Sequence, residues 1–237
     1  MSAVDKAQTA RPTIASIVAD QLRRRIVTGQ LLPEVQLRVG ELALKFGSAI
    51  SPVREALNRL SSEGLVEGRD MRGFFVASAS LSELREITHA RCLLNDLALR
   101  ASIAVGDQKW EEGVRAAYQR LNSTPRLTKS GAASSAWDQA HQTFHRALVA
   151  GCGNRQLIAF CDQLFVKADR YRHLARLSPK ASARKRDCEH KKIMHAALAG
   201  EPEKAVQVLT GHFEATAGLF EAARTGNSAI PKHALEL

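Results

Sequence analysis

The strongest constraint on this chain is a change of texture near residue 80. From Leu81 to about Arg224 apolar residues recur at helical spacing, and the interruptions are short clusters of turn-forming residues. The clusters fall at Gly106–Asp107, Thr124–Ser130, Gly151–Asn154, Ser178–Pro179 and Gly200–Pro202. They divide the region into about six helices. Helices with no strand among them can bury their apolar faces only against one another, so residues 80–225 should form a helical bundle.

Residues 13–79 are built from shorter pieces. Ile14, Ile17, Val18, Leu22 and Ile26 have helical spacing, with Thr13 placed to cap the helix and Gly29 to stop it. "LLPEVQL" reads as a short extended or turn segment, and "RVGELALKFG" as a second helix ending at Gly47. A third helix begins in "SPVREALNRLSSEG", where Ser51 is expected to cap and Pro52 to take the first helical position. "LVEGRDMRGFFVAS" alternates around turn residues as a hairpin does. The chain therefore reads as mainly α: a flexible tail (1–12), a small mixed domain (13–79), a larger helical one (80–225) and a frayed tail (226–237).

Hydrophobic residues make up 45% of the chain, enough for packed cores, and the formal charge is +10. Such an excess points to a polyanionic partner, nucleic acid first, although charge alone does not separate it from an anionic membrane surface. No apolar run approaches the ~18–20 residues of a membrane span. The start of the chain carries no apolar segment of the secretory kind. Cys92, Cys152, Cys161 and Cys188 form no CxxC pair, which suits a reducing cytoplasm with the cysteines as small buried groups.

Three short helices followed by a hairpin are the layout of a winged helix-turn-helix. The helix at Pro52 would enter the major groove by its N-terminus, with Arg54 in the first turn. Arg38 precedes the second helix, and Arg72 and Gly73 sit at the hairpin tip, where a glycine allows close approach to a minor groove. Any one of these arginines could be ordinary surface charge. Three of them, at turn, recognition helix and wing, favour DNA.

The run "LLPEVQLRVGELALKFGSAISPVREALNRLSSEGLVEGRDMRGFFV" resembles the DNA-binding domain of the GntR family of bacterial transcriptional regulators, over roughly residues 14–77. The resemblance implies DNA contacts from Arg38, Ile50, Ser51, Arg54, Arg72 and Gly73. Family members usually carry a guanine-reading arginine where this chain has Ile50. Isoleucine cannot make that bidentate contact, so the operator should lack that guanine, with a thymine methyl as the alternative partner.

In "WDQAHQTFHRAL", His141 and His145 are spaced to share one helix face. His190 and His212 lie toward opposite ends of "HKKIMHAALAGEPEKAVQVLTGH", which Gly200 and Pro202 break into two antiparallel helices, bringing the two histidines level. If the helix with His141 and His145 packs beside them, four imidazoles converge, a donor set suited to zinc, nickel, cobalt or copper. Spacing alone leaves ordinary histidines equally open, since His89, His173 and His195 also occur.

Residues 81–224 are similar to the FCD-type ligand-binding domain of the FadR branch, through "LSELREITHARCLLNDLALR", "FHRALVAGCGNRQL" and "EHKKIMHAALAGEPEKAVQVLTGHF". Six helices suggest the VanR-like subgroup. Many such domains bind a divalent metal through one aspartate and three histidines. The resemblance places the histidines at His145, His190 and His212, and puts His141 where the aspartate would be. A neutral four-histidine set leaves the charge of the ion uncompensated, which favours an anionic effector. Asp138, one turn before His141, would orient that imidazole, or could itself be the ligand. Arg91 would face the cavity and clamp a carboxylate. Asn154 reads as a helix cap.

The expected function is a cytoplasmic one-component regulator: a homodimer on a double-stranded DNA operator, controlled by a small carboxylate at a zinc or nickel site. A metal-dependent hydrolase is the main alternative. It needs a general base, and "HQTFH" has Gln142 where HExxH has glutamate, so no enzyme is expected. A non-specific architectural DNA binder is the other alternative, resting on charge alone.

Overall fold

A computed structural model describes residues 12–131, 133–177 and 187–225. The tails, and the break expected at Ser178–Pro179, lie outside them. The chain divides into two compact units between Ser78 and Ala79.

The first unit contains α1 (Ile14–Val27), β1 (Gln36–Leu37), α2 (Val39–Lys45), α3 (Ile50–Ser62), β2 (Val66–Arg69) and β3 (Gly73–Val76). Thr13 caps α1, its hydroxyl accepting from the Ser16 amide at 3.1 Å, and Gly29 takes a φ of 75° just past the end. β2 and β3 form the expected hairpin. β1, read from sequence only as an extended or turn segment, joins it antiparallel to give the order β1-β3-β2. Two residues carry too little periodicity to announce a strand; the pairing of Gln36 with Phe75 is decided by the fold. The core packs Val18, Leu22 and Ile26 of α1 against Leu42, Val53, Leu57, Leu60 and Val76.

One boundary differs from expectation. α3 starts at Ile50 with Ala49 as its N-cap and no side-chain cap, so Ser51 is not the capping residue. Pro52 becomes the third helical residue, where its missing N–H still costs nothing because first-turn amides have no intrahelical acceptor.

The second unit is helical among its described residues, apart from an isolated bridge of Leu127 with Ala133. It comprises α4 (Leu81–Val105), α5 (Gln108–Ser123), α6 (Ser135–Val149), a 3-10 turn (Ala150–Cys152), α7 (Arg155–Arg176), α8 (Asp187–Leu198) and α9 (Pro202–Thr225). Ser80, Asp107, Ser134 and Asn154 cap α4, α5, α6 and α7 through their side chains. α8 ends in a Schellman turn: the Gly200 amide donates to Ala197 O and the Glu201 amide to Ala196 O, with Gly200 at a φ of 69°. That turn reverses the chain into α9. Leu99, Val114, Leu121, Phe144, Leu148, Ile193, Leu209 and Phe213 form the core. Of the cysteines only Cys161 is buried; Cys188 is exposed, so the expectation that all four are core groups does not hold. Among the described residues no helix is long and apolar enough to cross a membrane.

Candidate functional site

In the first unit, Arg38, Ile50, Ser51, Arg54, Arg72 and Gly73 are all exposed. Ile50, Ser51 and Arg54 occupy the first turns of α3, where amide groups and the positive end of the helix dipole face outward. Arg72 lies in the β2–β3 turn, its amide donating to Arg69 O at 3.0 Å, and Gly73 opens β3 with a φ of 88°. Gln36 reaches across to donate to Arg72 O at 3.0 Å, which ties the wing to β1. Arg38 pairs with Glu41 at 2.8 Å, an exposed contact that a phosphate could replace at little cost.

In the second unit the four histidines converge. α6 carries His141 and His145 one turn apart, α8 carries His190 and α9 carries His212. One nitrogen from each lies within 4.8 Å of all the others, and each residue is at most 5% exposed. The α8–α9 reversal sets His190 beside His212, ring centroids 4.7 Å apart. Trp137 stacks on His141 at 4.8 Å, Phe165 lies against His141 and His145, Phe144 against His190, and Phe213 against His145.

Three of these imidazoles, His141, His145 and His190, are held in the neutral form. Burial disfavours the cation, and the neighbouring imidazoles oppose it further, so His141, His145 and His190 are all held far below the ordinary histidine value. A neutral imidazole keeps a lone pair, the condition for binding metal. Nε2 of His141 and Nε2 of His145 face each other at 3.1 Å. Two nitrogens on one tetrahedral zinc at about 2.0–2.1 Å stand about 3.3–3.4 Å apart, so little adjustment would admit an ion. Nδ1 of His141, Nδ1 of His145 and Nε2 of His190 are buried with no hydrogen-bond partner. An all-imidazole cluster with orphaned nitrogens fits a divalent transition ion.

Asp138 does not play the part expected of it. Its carboxylate accepts from Arg172 at 2.9 Å and from Arg176 at 3.3 Å, and lies 3.3 Å from His173 Nε2. It does not hydrogen-bond His141, and it is not among the clustered ligand atoms. The arginines on α7 win it because a charged donor outbids an imidazole. Glu189 does what was expected of Asp138, at a different histidine: its carboxylate lies 2.8 Å from His212 Nδ1. Its position next to His190 was the only sequence signal for this.

Arg91 is buried and faces the cluster. It lines two narrow clefts, one with His145, the other with His141, His212 and Arg172. Its guanidinium lies 3.8 Å from the Phe213 ring centre, and burial lowers its pKa to about 10, only partly offset by Asp169. α7 adds a group that sequence reasoning missed: Arg172, bound through Nε to Asp169 and through Nη2 to Asp138. Burial alone would raise the Asp169 carboxyl, but Arg172 and His173 outweigh it and hold it below the usual carboxylate range.

Comparison with known proteins agrees with both units. The model of the "Bacterial regulatory proteins, gntR family" matches residues 14–76, and that of the "FCD domain" matches residues 86–215. The HTH-type transcriptional repressor GlaR of Escherichia coli (strain K12) is 32% identical over 210 residues, covering 87% of this chain and 95% of that protein. A protein of Paenarthrobacter nicotinovorans named as a D-xylose utilization operon transcriptional repressor is 30% identical over 215 residues, covering 91% and 92%. Among solved structures, E. coli McbR/YncC superposes with a TM-score of 0.72 at 20% identity, over 89% of this chain and 98% of that one, a likeness of fold. The chain belongs to the GntR family of bacterial regulatory proteins, with an FCD domain as its helical part, and is a transcriptional regulator and not an enzyme.

Proposed function

We propose that the protein is a cytoplasmic, metal-dependent sensor of a small carboxylate that binds its operator as a homodimer. The winged helix reads DNA through Arg38, Ile50, Ser51, Arg54, Arg72 and Gly73. His141, His145, His190 and His212 hold a divalent transition metal, zinc or nickel. The metal, when bound, supplies a Lewis-acidic charge to which an anionic effector can bind. Arg91 adds a second cation facing the same cleft.

The observation that carries this reading is the convergence of four buried imidazoles from three helices, with one nitrogen of each within 4.8 Å of the others. Burying ring nitrogens of His141, His145 and His190 without hydrogen-bond partners costs stability, and an ion at the centre of the cluster recovers it. The cluster serves sensing: "HQTFH" offers Gln142, which cannot act as the general base that metal-assisted hydrolysis needs. Effector and DNA are coupled by differential affinity for two conformations of the dimer.

The test is elemental analysis of the purified protein, prepared without added metal or chelator. About one zinc or nickel per chain supports the site. His190→Ala combined with His212→Ala should abolish it. Full metal occupancy in that double variant, or no metal in wild-type protein even after reconstitution, overturns the reading.

A further inference from the structure

The tip of the wing carries a residue that neither packing nor backbone preference explains. β2 and β3 pair out to Arg69 and Gly73, so Asp70, Met71 and Arg72 make the hairpin loop. The Arg72 amide donates to Arg69 O at 3.0 Å, which makes Met71 the third residue of the turn, with a φ of 56°. Turns of this kind usually place glycine or asparagine there, because a left-handed backbone strains a residue with a larger side chain. Met71 is also fully exposed, so its apolar side chain gains nothing from burial in the fold. A strained and solvated methionine lowers the stability of the hairpin, which points to a use outside it.

The surroundings hold the tip stiff and set a cation beside the apolar side chain. Gln36 donates to Arg72 O at 3.0 Å and its backbone pairs with Phe75, so β1 braces the loop. Arg69 is engaged at the base of the loop, 3.1 Å from Glu67 and 4.4 Å from the Phe75 ring centre. Arg72 is exposed next to Met71. The negative potential of a narrow minor groove attracts such a cation, against the repulsion of the exposed Asp70. An unbranched thioether side chain adapts its shape as it enters a narrow space.

We propose that Met71 is a minor-groove wedge: on the operator its side chain inserts between two stacked base pairs and kinks the duplex, while Arg72 steers the tip into the groove. This rests on the reading of the winged helix as the DNA reader, and adds an indirect specificity to it. Apolar wedges partly unstack the step they enter, and pyrimidine–purine steps such as TA and CA unstack most easily. The operator should therefore carry such a step under the wing, outside the bases read by α3.

The experiment uses the full-length protein and an operator selected from a randomised duplex pool. Met71→Gly removes the wedge and suits the left-handed backbone, so its thermal midpoint should be at least that of wild type. Wild type should select a pyrimidine–purine step at a fixed distance from each half-site, and 2-aminopurine placed in that step should brighten on binding. Met71→Gly should lose both the step preference and the brightening while selecting the same half-site bases. Met71→Leu should restore both. An equal step preference and brightening in Met71→Gly, or neither of them in wild type bound to its operator, overturns the wedge and leaves the winged helix as the DNA reader. Failure of wild type to select any sequence, or a selection unaltered by Arg54→Ala combined with Arg72→Ala, overturns both.

Discussion

The carboxylate of Glu189 lies 2.8 Å from Nδ1 of His212. A carboxylate can only accept, so Nδ1 is the protonated nitrogen of His212 and Nε2 carries the lone pair. A residue one step from His190 on α8 therefore sets the tautomer of a histidine on α9. Glu189→Gln should preserve the fold and lower metal affinity roughly 10- to 100-fold, as loss of such partners does elsewhere. Competition with a chromophoric chelator measures this, and unchanged affinity would show that the contact is only structural.

The histidine cluster should make the metal-free protein sensitive to acid. His141, His145 and His190 have folded-state pKa values far below the ordinary 6.5, chiefly through burial. Below about pH 6.5 the unfolded chain takes up protons that the folded chain refuses. Stability is therefore complete above that pH and declines below it, by up to about 1.4 kcal/mol per histidine per pH unit. Urea denaturation of chelator-treated protein at pH 7.5, 6.5 and 5.5 reads the slope. A flat profile would contradict the neutral assignment.

On the DNA side, Arg54→Ala should cost about 1–3 kcal/mol at the operator if the guanidinium reads a base. Ile50→Arg adds a fork at an exposed position in the first turn of the same helix. Selection from a randomised duplex pool should then show a gained guanine at one position of each half-site. An unchanged consensus would mean that Ile50 does not face the groove.

Gly106 closes α4 against Trp110. A Cβ there would lie 2.2 Å from Trp110 Cε3 and 2.4 Å from Ser102 O, and the second of these is backbone. Gly106→Ala should destabilise the helical domain by about 1–3 kcal/mol, the usual cost of overpacking. Thermal unfolding followed by tryptophan fluorescence would register it as a lower midpoint; an unchanged midpoint would mean that the α4–α5 turn relaxes freely.

Much of this molecule was legible one residue at a time. Thr13, Asn154, Gly29 and Gly200 mark helix ends because capping is a local transaction between a side chain or a left-handed backbone and amides a few residues away. Ser51 misled for the same reason: a hydroxyl next to a proline looks like a cap, yet α3 starts two residues earlier than Pro52, at Ile50. His141 and His145 could be paired from their spacing, and the family resemblance pointed to His190 and His212.

Sequence by itself determined the order of helices, the reversals between them and the residue types available for a site, because periodicity and turn chemistry act over a few residues. Tertiary structure decided which acid serves which base. Asp138 sits one turn from His141 yet binds Arg172, 34 residues away, while Glu189 serves His212, 23 residues away. Such pairings depend on how α6, α7, α8 and α9 pack, and in a buried site each donor goes to the strongest acceptor within reach, wherever it lies in the chain.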